Sequence, residues 1–137
     1  MQGLIIDYAG VLDQDPEDQR RWQQLIEAVK EKDKAVGILS NEESEGQMAD
    51  AVRDWEFRGV VDAVVLSGDI GAEKPSPAAF QAAADALDIP LNDCVMIDDD
   101  IMNVRSAVEC GMIAILHTAF DRTAVEIQTL FNIEGEF

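Results

Sequence analysis

The 137-residue sequence predicts an α/β fold: a five-stranded parallel sheet between two layers of helices. Three observations predict it. Five short apolar runs recur along the chain. They are continuous rather than alternating, as in strands that helices cover on both faces. Segments with helical period separate each run from the next, and such an order folds through right-handed crossovers.

The runs are Leu4 to Ile6, Val36 to Leu39, Ala63 to Leu66, Cys94 to Ile97 and Met112 to Leu116. After the first, Trp22, Leu25, Ile26 and Val29 keep the spacing i, i+3, i+4, i+7 of one helix face. Met48, Val52 and Trp55 form a second stripe, and Phe80, Ala83, Ala84 and Leu87 a third. Val104, Ala107 and Val108 form a fourth, and Ile127, Leu130 and Phe131 a last. Asp15-Pro16 reads as cap and first residue of the first helix, with Asp18 at its third position. Ser76-Pro77 does the same for the third helix. Asp100 caps the fourth, and Gly111 ends it in the left-handed conformation. No repeat, low-complexity tract or linker divides the chain, so one domain over residues 1–137 is expected.

A chain of this length buries about two-thirds of its unfolded surface and folds without a disulfide framework or structural metal. Cys94 and Cys110 sit in apolar sequence and read as small buried hydrophobes. There are 28 acidic and 10 basic residues, a formal net charge of -18. That balance argues against nucleic acid, whose phosphates it repels, and against an anionic membrane face. No basic leader and no apolar stretch of ~20 residues appears. A cytoplasmic protein is expected.

In open parallel sheets, ligands sit beyond the carboxyl ends of the strands. The residues at those ends are Asp7-Tyr8-Ala9-Gly10, Ser40-Asn41, Ser67-Gly68 with Lys74 beyond it, Asp98-Asp99-Asp100, and His117-Thr118. Carboxylates brought together from two strand ends repel unless a cation lies between them. Oxygen ligands favour a hard cation such as Mg2+. A hydroxyl, an amide and a lysine beside it make a phosphate site, and a carboxylate there can attack phosphorus.

Four segments in order resemble the motifs of the haloacid dehalogenase (HAD)-like hydrolase superfamily. They are Leu4-Ile5-Ile6-Asp7-Tyr8-Ala9-Gly10-Val11-Leu12, Gly37-Ile38-Leu39-Ser40-Asn41, Lys74-Pro75-Ser76-Pro77 and Val95-Met96-Ile97-Asp98-Asp99-Asp100-Ile101-Met102-Asn103. The resemblance covers essentially the whole chain and implies a Rossmann-like α/β/α core. It implies Asp7 as nucleophile and Mg2+ ligand, the Ala9 carbonyl as a second ligand, and Asp99 as the acidic ligand with Asp98 close behind. It gives Ser40, Asn41, Lys74 and the amides around Gly10 the phosphoryl oxygens.

Two departures stand out. The family's phosphatases carry an acid/base Asp where this chain has Ala9, so the proton donor and water-activating base are missing. No cap domain fits between Asp7 and Ser40 or between Ser67 and Lys74, where there is room only for a loop. The site is therefore expected to be open, suited to a phosphorylated small molecule or a phosphoprotein, or to a second copy or partner subunit acting as lid. Two functions compete: a capless Mg2+-dependent hydrolase with an impaired acid/base step, and a catalytically inactive module that binds phosphate or protein. Asp13 and Asp15 are expected as turn and cap residues, His117 as structural, and Tyr8 and Trp55 as packing residues.

Overall fold

Each apolar run forms a strand, in a computed structural model that describes Met1–Phe137. The strands are β1 (Gly3–Ile6), β2 (Ala35–Ser40), β3 (Ala63–Leu66), β4 (Cys94–Asp98) and β5 (Ile113–Leu116). All are parallel, in the order β3-β2-β1-β4-β5. The helices between them are α1 (Pro16–Lys30), α2 (Gln47–Phe57), α3 (Ser67–Ile70), α4 (Pro77–Leu87), α5 (Ile101–Glu109) and α6 (Phe120–Phe131), with a 3-10 turn at Leu91–Asp93. This is the five-stranded Rossmann-like α/β/α fold expected, with no separate cap between its elements.

The core lies on both faces of the sheet, which is why the strands read as unbroken apolar runs. Leu4, Ile6, Val36 and Ile38 pack under α1, α2 and α6 with Trp22, Leu25, Val52 and Ile127. Ile5, Leu39 and Met96 point the other way, under α4 and α5, with Phe80, Ala84 and Ala107. Trp22 meets Phe120 edge-on at 5.1 Å between ring centroids. Asp15 caps α1 by accepting the Asp18 N–H at 2.9 Å, and Asp100 caps α5 by accepting the Met102 N–H at 2.8 Å.

Several expectations need correction. Ser67 to Lys74 is not a plain loop: its first four residues make α3, closed by Gly71 at φ 67. One turn is too short to carry a readable period. Ser76 stands at the N-cap of α4 but makes no side-chain cap bond. The inward stripe of α2 is Ala49, Val52 and Trp55, while Met48 is exposed. On α5, Val104 and Ala107 are buried, but Val108 is exposed and Asn103 turns inward instead. β5 is an edge strand and leaves Ile113 and Leu116 exposed, so covering on both faces holds for the inner strands only. Cys94 is buried, whereas Cys110 is half-buried.

The topology positions the site. β1 is followed in sequence by β2 on one side, while β4 lies on its other side. The chain therefore reverses direction across the sheet between β1 and β4, where such sheets bind ligands. The register pairs Ile6 with Ile97, which sets Asp7 beside Asp98 one residue later.

Candidate active site

Asp7, Ala9, Gly10, Ser40, Asn41, Lys74, Asp98 and Asp99 all line one cavity of about 330 Å³, together with Asp100 and Asn103. A larger acidic cleft of about 530 Å³ lies beside it and shares only Asn41. The smaller cavity gathers the candidate site residues.

Lys74 is at the centre. Its ammonium donates to Asp7 Oδ1 at 2.7 Å, to Asp98 Oδ2 at 2.8 Å and to the Leu39 carbonyl at 3.0 Å. All three donors are thereby used, and the side chain is only 1% exposed. A lysine buried this deeply needs such pairing to stay charged. Asp98 is fully buried and also accepts the Asp100 N–H at 3.0 Å and Asn103 Nδ2 at 3.2 Å. Asn103 joins the site without having been expected there. Its position five residues after Asp98, in the first turns of α5, is the signal that could have found it.

Asp7 spends one carboxyl oxygen on Lys74 and leaves the other free. Burial pushes its pKa up from 3.8 to about 7; Lys74 opposes this, and Asp98 and Asp99 reinforce it. Asp99 is exposed and accepts no hydrogen bond from the chain. Carboxyl oxygens of Asp7, Asp98 and Asp99 lie within 4.8 Å of one another. An all-oxygen set of this kind fits a hard cation. Gly10 makes room for the Asp99 carboxyl: at φ 81, a Cβ there would come 2.0 Å from Asp99 Oδ2.

Three expected phosphate contacts differ in the structure, the first being Lys74, whose donors go to Asp7, Asp98 and the Leu39 carbonyl. The Gly10 N–H is already taken by Asp13 Oδ1 at 2.8 Å, because the chain turns back over Tyr8 here, whose carbonyl accepts the Leu12 N–H at 2.8 Å. The Asn41 side chain is committed to the Lys74 backbone, with Nδ2 on the Lys74 carbonyl at 3.0 Å and Oδ1 on the Lys74 N–H at 2.8 Å. Ser40 contrasts with all three. It is 1% exposed, lines the cavity, and its hydroxyl makes no hydrogen bond within the chain.

Other residues fall where expected. His117 is buried, with Nδ1 2.7 Å from Thr123 Oγ1. Burial lowers its pKa, with Asp99 and Asp18 pulling the other way. Tyr8 packs edge-on against Trp55 at 6.5 Å in the core. Ala9 is exposed at the cavity rim and brings no proton-transfer group.

A doubly wound sheet with a lysine-bridged cluster of carboxylates at its reversal point defines an α/β protein with a site at the strand ends. Comparison with known proteins names the family. The model for haloacid dehalogenase-like hydrolases matches residues 8–111, and the chain belongs to that family. Phosphatase MT3486 of Mycobacterium tuberculosis (strain CDC 1551 / Oshkosh) is 33% identical over 91 residues, which is 66% of this chain and 42% of that protein. The chain spans less than half the length of the curated relatives it matches. A crystal structure of a Corynebacterium glutamicum protein is 55% identical with a TM-score of 0.96, over 100% of this chain and 99% of that one. A HAD family enzyme of Bacteroides thetaiotaomicron, solved with magnesium and inorganic phosphate, shares the fold at 17% identity and a TM-score of 0.60, over 87% of this chain and 95% of that one. No helix of this chain is long and apolar enough to cross a membrane.

Proposed function

We propose that the protein is an Mg2+-dependent phosphohydrolase that passes a phosphoryl group through Asp7 and is slow in the step that releases it. The observation that carries this is the division of labour on Asp7. One carboxyl oxygen is held by Lys74, and the other is free in the same cavity as the unpartnered hydroxyl of Ser40. The similarity to the Mycobacterium tuberculosis phosphatase and to the Bacteroides enzyme solved with magnesium and inorganic phosphate supports the reading.

In the first step the free Asp7 oxygen forms a bond to phosphorus while the bond to the leaving group breaks, and that group takes the electron pair. Lys74 steadies the attacking carboxylate and Ser40 donates to a phosphoryl oxygen. In the second step water forms a bond to phosphorus as the Asp7–phosphorus bond breaks; the water proton passes to solvent, and phosphate departs with the Asp7 carboxylate restored. Mg2+, held by Asp7, Asp99 and the Ala9 carbonyl with Asp98 behind, would offset the negative charge of the phosphoryl group. Ala9 supplies neither an acid for the first step nor a base for the second, so good leaving groups are favoured.

The same reading takes residues 1–137 as one catalytic core in a cytoplasmic setting that suits a net charge of -18. Its substrate is a phosphorylated small molecule or phosphoprotein, and a second copy or partner subunit covers the open site. The competing reading, a binding module without turnover, draws on Ala9 alone. A panel of phosphate esters and acyl phosphates, assayed with and without Mg2+ on wild type and Asp7→Asn, separates the two. Mg2+-dependent release lost in Asp7→Asn is expected. Absence of both turnover and a phosphoryl adduct on wild type would overturn the hydrolase reading.

A further inference from the structure

We infer that Asn41 is a positioning residue for Lys74, its side-chain amide tied to the Lys74 backbone. The inference rests on the reading of Lys74 as the cation that steadies Asp7. The hydrogen-bond directions fix the Asn41 amide without ambiguity. The Lys74 N–H can only donate, so it needs Oδ1, at 2.8 Å; the Lys74 carbonyl can only accept, so it needs Nδ2, at 3.0 Å. The amide oxygen and one of its two N–H groups thus both engage one residue 33 positions away.

The strand end grips Lys74 a second time. The Leu39 carbonyl accepts from the ammonium at 3.0 Å. Leu39 and Asn41 therefore hold the head and the backbone of Lys74 from either side of Ser40, whose hydroxyl stays free for substrate. A third hold comes from α5, where Ser106 Oγ donates to the Pro75 carbonyl at 2.6 Å. Lys74 stands in a segment without regular structure between α3 and α4. The segment's own backbone makes one internal bond, Ser76 N–H to the Glu73 carbonyl at 2.8 Å, which closes a turn at Lys74 but does not tie the ammonium to the strand ends. Hydrogen bonds to neighbouring elements do so instead, and a group must be held closely to act on a reacting carboxylate.

The test uses acylation of lysines by an N-hydroxysuccinimide acetate, read by peptide mass spectrometry on the folded protein. In wild type, Lys74 should stay shielded while Lys30, Lys32 and Lys34 react. In Asn41→Ala, local opening of the segment should speed labelling of Lys74 by about tenfold relative to those three lysines. Asn41→Asp keeps the acceptor for the Lys74 N–H and should fall between the two. Glu43→Gln, outside the tie, should label as wild type. A second readout separates positioning from phosphate binding. With acetyl phosphate and Mg2+, Asn41→Ala should lower the maximal rate of Asp7 phosphorylation and leave the half-saturating concentration within about twofold. If Asn41→Ala fails to fold, Asn41→Asp and Ser106→Ala carry the labelling test. Lys74 as shielded in the folded variants as in wild type would overturn the inference, as would a raised half-saturating concentration at unchanged maximal rate. If wild type takes no phosphoryl group, the proposed hydrolase fails, and the labelling alone still decides the tie.

Discussion

Lys74 Nζ stands 2.7 Å from Asp7 Oδ1, yet burial outweighs the pair and holds the Asp7 carboxyl at about 7. The folded chain therefore keeps a proton on Asp7 between about pH 4 and pH 7 that the unfolded chain has released. Folding stability from this group is present at low pH and is lost as pH rises through that range. Without metal, Asp7→Asn should melt above wild type at about pH 8, and the two should converge towards about pH 4. Thermal melts in a chelator across this range check it. A variant that melts below wild type throughout would show that pairing to Lys74 outweighs burial.

If the crowded carboxylates hold a cation, as proposed, stability depends on it. A ligand that binds only the folded state stabilises it by RT ln(1 + [L]/Kd), ~2.7 kcal/mol at a hundredfold excess over Kd. Melting temperature should rise with Mg2+ in wild type and stay flat in Asp99→Ala. An equal Mg2+ response in both proteins would remove Asp99 from the metal site.

Gly10 tests the cradle from the other side. Its φ of 81 is left-handed, and an added Cβ would meet Asp99 Oδ2 at 2.0 Å and Cγ at 2.7 Å. Asp99 is exposed, so its side chain swings away more easily than the backbone shifts. Gly10→Ala should cost about 1–3 kcal/mol from the strained backbone and also flatten the Mg2+ response. Circular dichroism melts with and without Mg2+ measure both effects; a full Mg2+ response in a destabilised variant would detach Gly10 from the cradle.

The inner sheet was legible because its strands are buried on both faces, so Leu4-Ile5-Ile6 and Val95-Met96-Ile97 read as unbroken apolar runs. Strand ends then gave the residues that converge, since a parallel sheet brings all its carboxyl ends to one edge. What sequence could not give was the use of each polar group. Asn41 and the Gly10 amide looked free because the partners that take them up, Lys74 and Asp13, are fixed by loop geometry and not by periodicity. Asn103 was hidden for a related reason: a polar residue at an inward helix position carries no apolar signal.

His117 gives a second pH dependence, of opposite sign. Burial lowers its pKa below 6.5, so the unfolded chain takes up a proton that the folded chain refuses. Its contribution is intact above the unfolded value and is lost as pH falls below it. Wild type should lose melting temperature on this account below about pH 6.5, against the rise that Asp7 contributes. His117→Gln should remove this loss and steepen the net gain towards acid. An unchanged pH profile in that variant would show that His117 does not titrate with unfolding.

In the proposed mechanism Ala9 decides which chemical steps are open. Attack by ionised Asp7 on phosphorus needs no proton. Departure of an alkoxide needs an acid, whereas departure of a carboxylate or a nitrophenolate hardly does. Breakdown of the phosphorylated Asp7 needs a base for water, and the exposed methyl group of Ala9 offers none. Acetyl phosphate with Mg2+ should therefore phosphorylate Asp7 faster than the adduct decays, so that the adduct accumulates. Ala9→Asp places a carboxyl at the cavity rim and should raise turnover by roughly 10^2 or more, most for leaving groups of high pKa. Intact-mass spectrometry of wild type after mixing with acetyl phosphate tests the first half, and leaving-group series on both proteins test the second. An adduct on wild type that decays no slower than in Ala9→Asp would mean that another group activates water. No adduct on wild type together with no gain in Ala9→Asp would leave phosphate or protein binding as the function of the site.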